Sequence, residues 1–157
     1  LRERDAVLAR AQDEATRMLQ EAKVKIEEER VRQAAEQEAE IIREEARDRA
    51  LAFEDAAALE GWLGRNHAVS PGVWLRIYKK GSGIKAVGFM EVLAAGLIYG
   101  WSESKRHPLD EVSYLQRFAP RRKTGTLSPR NRKMAEALIK QGRMRPEGLK
   151  ALGMAKI

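Results

Sequence analysis

The stretch YLQRFAPRRKTGTLSPRNRK, residues 114–133, carries seven cationic side chains and no acidic one. Arginines packed this closely suit three tasks: fork-like binding of a carboxylate or phosphate, neutralisation of a nucleic-acid backbone, or pairing with structural partners. Arg117, Arg121 and Arg122 flank Phe118 and Pro120, and on the first task they form an anion cradle. The competing reading pairs Arg117 with a local carboxylate, places Phe118 in the core and leaves Arg121 and Arg122 solvated at the edge of a strand ended by proline. A few residues on, Ser128-Pro129-Arg130-Asn131 reads as a helix start. Its unpaired N–H groups and dipole favour an anion, although Ser128 also suits an ordinary N-cap. If the cradle exists, Arg121 or Arg122 converges with this helix start, with Asn131 beside it.

A second group comprises Trp74, Tyr78 and Trp101 with Lys79, Lys80 and Glu103. These could line a pocket, yet tryptophans at strand ends more often fill a core. Lys79 and Lys80 are adjacent, so on a strand they point to opposite faces. His67 and His107 have no metal-ligand spacing. His107 with Asp110 and Glu111 has the residue types of acid–base chemistry, without a spacing that demands it. The chain has no cysteine, which removes disulfides, thiolate zinc sites and a Cys nucleophile. No phosphate-binding loop, dinucleotide fingerprint, nucleophile elbow or HExxH pattern appears, and no cofactor is implied. NRKMAEALIKQGRMRPEGLKAL gives helix, glycine turn, helix. Its second helix carries Glu147, Gly148 and Leu149 where base-reading residues would lie, so groove readout is not expected. Non-specific nucleic-acid binding by the basic face remains an alternative, as does an enzyme of unknown reaction.

Composition divides the elements that must position these residues. Residues 1–50 hold 11 basic and 14 acidic side chains, whereas residues 117–157 hold 12 basic and 2 acidic. The positive field thus belongs to the last quarter of the chain. All 12 Gly, all 5 Pro and all nine aromatics lie after residue 52. The first region is made of strong helix formers. Leu8, Ala11, Ala15, Leu19, Ala22 and Ile26, then Ala35, Ala39, Ile42, Ala46 and Ala50, follow steps of three and four. These predict one apolar stripe on a long helix, interrupted by EEERVRQ. Eleven-residue spacings favour a straight or right-handed coil, and Glu21/Lys25 and Glu28/Arg32 supply i,i+4 pairs. This helix is expected to serve a homo-oligomer or a partner helix through residues 1–50. Segments such as AQDEATRMLQEAK and EEARDRA are similar to stalk helices of ATP synthase b-type subunits and to DivIVA-like scaffolds, a likeness that carries no function. No run reaches the ~18 apolar residues of a membrane span. The absence of cysteine fits a reducing compartment, so a cytoplasmic location is expected. The start at Leu1 without Met points to a trimmed N-terminus.

From Phe53 the pattern becomes that of a small α+β domain, residues 53–157, with a short antiparallel sheet and about four helices. FEDAAALEGWLGRNH reads as a helix, VWLRIYKK as a strand and Phe89–Ile98 as a buried helix. Trp101 opens a short extended segment, SESKRHPLDE is a loop or hairpin tip, and SYLQRFAP is a second strand. Residues 128–142 form a capped helix, and a last short helix follows Pro146.

The blocks WL-x-x-NH, SPGVWLRIYKK, EVLAAGLIYGW, LDE-x-x-YLQRFAPRR, LS-x-x-N and LI-x-x-GRM-x-P-x-GL occur in an order and spacing that resemble the bacteriocin-protection, YdeI/OmpD-associated family over about residues 53–157. Where that family has an Asp and a Cys in its central block, this chain has Glu103 and Ile98, and Leu127 stands where a tryptophan precedes the serine. The resemblance implies a small bacterial protein associated with resistance to bacteriocins or cationic antimicrobial peptides. The expected function is a non-enzymatic protection module that binds an anionic ligand or partner through an Arg-rich cleft. Its candidate residues are Lys79, Trp101, Glu103, Arg117, Arg121, Arg122, Ser128, Asn131 and Arg143.

Overall fold

A computed structural model of the chain describes residues 1–154. It divides into two compact units, Leu1–Ile42 and Arg43–Ile157. The first is a single helix that belongs to α1 (Arg2–Arg49). Acidic Glu3 and Asp5 in the first turn and basic Arg47 and Arg49 in the last complement the helix dipole. The ion pairs along α1 differ from those expected. Arg32 bonds Glu29 at 2.7 Å and Glu36 at 2.9 Å rather than Glu28, and Glu21 faces Arg17 at 3.9 Å. The single stripe also needs correction. Ala35 lies nine residues beyond Ile26, and at about 100° per residue that is half a turn off the first stripe. An unbroken helix therefore carries two apolar faces on opposite sides. Leu8, Leu19 and Ile26, on the first, are exposed.

In the second unit the end of α1 buries Ala46. The chain then leaves the helix, and Leu51 bridges Leu75 in parallel, with Leu51 N donating to Trp74 O and Arg76 N to Leu51 O, each at 2.9 Å. This single bridge covers part of one edge of the sheet. Helix α2 runs Ala56–Asn66, not from Phe53, because Asp55 caps it by accepting from Ala58 N at 2.8 Å. Phe53 instead packs on Trp62, with ring centroids 6.2 Å apart. Strand β1 is Val73–Tyr78, α3 Phe89–Tyr99, β2 Trp101–Pro108, β3 Ser113–Pro120, α4 Pro129–Lys140 and α5 Pro146–Ala151. The fold is α+β.

The sheet is antiparallel in the order β1-β3-β2. The segment expected as a loop, SESKRHP, is strand up to Pro108. Its polar composition suits an outer strand with one solvated face. Residues opposite each other in antiparallel strands share a face. One face therefore carries Val73, Leu75, Ile77, Phe118, Gln116 and Trp101, and Leu75, Ile77, Phe118 and Trp101 join the core with Leu59, Leu63, Val92, Leu97 and Leu138. The other face carries Trp74, Arg76, Tyr78, Leu115 and Arg117.

Helix α3 is the hub: α2, α4, α5 and β2 all contact it. It ends at Gly100, whose φ of +76° only glycine adopts freely. Its last carbonyls, those of Leu97 and Ile98, lie so close to Gly148 in α5 that a β-carbon there would collide with both.

Candidate functional site

The register fixes where each candidate side chain goes. Arg117 sits opposite Trp74 on the face away from the main core, and its guanidinium lies 5.9 Å from the Trp74 ring centre. Gly72 makes room for it, since a β-carbon there would come within 2.8 Å of Arg117 Nη2. On Trp74 packs the His107 ring, at 5.3 Å. Arg49 and Glu45, from the last turns of α1, join Gly72, Val73, Trp74 and Arg117 around a cavity of about 250 Å³. Among the described residues, neither Arg49 nor Arg117 has a carboxylate within ion-pair distance.

The other arginines of the basic stretch go elsewhere. Arg121 turns onto its own loop, with Nη1 donating to Thr126 O at 3.0 Å, while its Nε is buried without a partner. Burial pulls the Arg121 pKa down, partly offset by the charge of Glu103. Arg122 is exposed. Ser128 caps α4 by accepting from Asn131 N at 3.2 Å, and Asn131 Oδ1 is buried without a hydrogen-bond partner. Arg143 is held by Glu60 at 2.6 Å. Trp101 is 1% exposed and fills the core, with Nε1 donating to His67 O at 3.3 Å. Ser128 and Asn131 thus meet at the start of α4, Arg121 lies within electrostatic range of Glu103, and Arg117 joins Trp74 on the sheet.

Lys79 belongs to a different neighbourhood. Its Nζ reaches the carbonyls of Glu111 at 3.3 Å and Asp110 at 3.5 Å. With Arg106, Pro108 and Tyr114 it lines a hollow of about 450 Å³. The Tyr114 hydroxyl pKa is raised by burial, against a lowering effect of the Arg106 charge.

Residues 51–151 match the family model described as Domain of unknown function (DUF8412). The chain belongs to the DUF8412 family. No curated protein and no solved structure matches it. The DUF8412 region thus takes in both hollows except for Glu45 and Arg49, which α1 contributes. Among its described residues no group of three or more His, Asp or Glu is placed to hold a metal ion, and no helix is long and apolar enough to cross a membrane.

Sequence reasoning missed Arg49, Arg106, Tyr114 and Gln116 as site residues. Alternation along β1 and β3 pairs Trp74 with Arg117 once the register is known. Nothing in the sequence signals Arg49, because Ala46 and Ala50 mark a packed face without saying what it packs on.

Proposed function

We propose that the DUF8412 domain is a non-enzymatic receptor for a small anion, displayed on a helix that tethers or oligomerises it, in the kind of bacterial antimicrobial-peptide protection that the YdeI/OmpD resemblance implies. The anion takes the cavity of Arg49, Arg117 and Trp74. One observation carries this reading: two arginines line a hollow of about 250 Å³, and although Glu45 also lines it, neither arginine is in an ion pair among the described residues. Unpaired arginines beside an aromatic wall favour an oxyanion held by charge-assisted hydrogen bonds. The volume lies just below the usual range for drug-sized ligands, so the ligand is a small anion or an acidic side chain of a partner.

Titration with inorganic pyrophosphate, followed by tryptophan fluorescence, tests it. Saturable quenching that survives Arg122→Met and disappears in Arg117→Met and in Trp74→Phe is expected. Quenching that does not saturate, or that falls equally in the Arg122 and Arg117 variants, sinks it.

A second reading has its own support. Arg122, Lys123, Arg130, Arg132 and Lys133 are all exposed and have no ion pair among the described residues. Exposed cations of this kind suit the phosphates of a nucleic acid. Affinity for a polyanion column that falls steeply with salt, and alike for all sequences, would favour that reading.

A further inference from the structure

The 450 Å³ hollow around Arg106 lies on the opposite face of the sheet and is built differently. Along β2, Trp101 and Glu103 stand opposite Pro120 and Phe118, on the core face. Simple alternation would then place Arg106 on the other face. Between Glu103 and Arg106 the register shifts: three residues of β2 are spent against two of β3, from Phe118 to Gln116. This bulge returns Arg106 to the core face, opposite Gln116. Bulges commonly re-aim a side chain in this way.

Arg106 is then fixed from several sides. Its guanidinium carbon lies 4.2 Å from the Tyr114 ring centre and 4.8 Å from that of Phe89. Its Nε donates to Gln116 Oε1 at 3.2 Å. Gln116 is only 2% exposed, and its own Nε2 donates to Lys105 O at 3.1 Å and to Arg117 O at 3.4 Å. The Lys105 carbonyl belongs to the bulge itself. The amide of Gln116 therefore ties the bulge to the Arg106 side chain, and a buried amide used at both ends leaves little rotational freedom.

With Nε engaged, the Nη donors of Arg106 remain, and no carboxylate among the described residues takes them. The Phe89 and Tyr114 rings lie beside the guanidinium, and the planar edge of a guanidinium matches the two oxygens of a carboxylate. The walls beside it are carbon, from the Pro108 and Tyr114 rings and the stem of Lys79, whose ammonium adds a second positive charge.

We propose that Arg106, fixed by Gln116 and set against Phe89 and Tyr114, binds the carboxylate of a small ligand whose apolar body lies on Pro108 and Tyr114, with Lys79 as the second cation. This site is independent of the Arg117 cavity and stands or falls separately.

The test uses the full chain labelled with ¹⁵N and three probes: 4-phenylbutyrate, 4-phenylbutanol and inorganic phosphate. Phenylbutyrate is expected to give saturable shifts centred on residues 79, 89, 106 and 114. The alcohol and phosphate should each bind at least about tenfold more weakly, because each lacks one half of the recognition. Arg106→Met should remove the binding, and Arg106→Lys should weaken it about tenfold by losing the planar fork while keeping the charge. Arg122→Met, at an exposed residue that lines neither hollow, should leave it unchanged. Equal binding of acid and alcohol overturns the carboxylate role. Equal binding of phosphate, read from shifts at residues 79, 89, 106 and 114, overturns the apolar body, and no saturable shift there up to about 10 mM phenylbutyrate overturns the site. Should Arg106→Met lose its dispersed spectrum, the Lys variant and the probe comparison still decide.

Discussion

Replacing Gly148 by alanine should destabilise the globular unit, although alanine is the better helix former. The added methyl would collide with the carbonyl oxygens of Leu97 and Ile98 at the end of α3. Two responses are open. The helices can spread, which for an overpacked contact costs about 1–3 kcal/mol. Or α5 can undock and expose Leu152, now 4% exposed, at about 1.5–3 kcal/mol for a leucine side chain. The cheaper response costs about 2 kcal/mol. Helix propensity returns up to about 1 kcal/mol, leaving a net loss of about 1–2 kcal/mol. Gly61→Ala in α2 is the matched control. There the nearest atom to the new methyl is Arg65 Nη1 at 3.6 Å, an ordinary contact, so only the propensity gain of about 0.5–1 kcal/mol remains. At roughly 4 °C per kcal/mol for a domain of this size, the two melting points should lie about 6–12 °C apart, with wild type between them. Near-ultraviolet circular dichroism suits the measurement, because all nine aromatics lie after residue 52 and α1 contributes nothing to the signal. If Gly148→Ala melts at or above Gly61→Ala, α5 does not sit on α3 as described.

The exposed face of Leu8, Leu19 and Ile26 should mediate self-association: sedimentation should show an oligomer that Leu19→Asp reduces to monomer, and a monomeric wild type refutes this. Asp110 holds its carboxyl pKa below the ordinary 3.8, chiefly through the Ser113 hydroxyl and also through backbone N–H groups and Arg76. A lowered folded value gives stability that is present above the ordinary pKa and lost as pH falls through the folded one. Asp110→Asn should therefore flatten the acid limb of the stability curve below about pH 4, and an unchanged limb refutes the assignment. Gln116→Glu should alter the hairpin as well as Arg106, because the new carboxylate cannot donate to Lys105 O. Amide exchange near residues 103–106 should speed up, and unchanged protection there would mean the bulge does not depend on the glutamine.

The fold was legible wherever local chemistry and burial agreed. Pro129 behind Ser128, Gly100 after an apolar run, and VWLRIY between glycine turns each have one inexpensive local conformation, and the structure adopts it. The sequence pattern extends α2 back to Phe53, which is apolar and in phase with it, but the helix starts after Asp55, because a cap is decided by the residue that can accept from an N–H. The polar part of β2, SESKRHP, reads as a loop because it has neither alternation nor β-branched residues. Its pairing comes from β3, which supplies the apolar partners that β2 lacks.

The site was less legible, and the reason is phase. Counting by threes and fours locates the apolar residues of α1, but the nine-residue step across EEERVRQ turns the second set to the opposite side. Counting by twos along β2 likewise assigns Arg106 to the wrong face, because one extra residue before it inverts the alternation. A period can be read from residue types; a phase slip depends on whether a distant group stabilises it. In β2 that group is Gln116, eleven residues beyond Lys105, whose amide takes the carbonyl the bulge sets free. A polar residue buried at the centre of a three-stranded sheet costs stability unless each of its hydrogen bonds is made. Gln116 makes its bonds to the bulge and to Arg106 together, so the same residue that permits the slip also aims the charge.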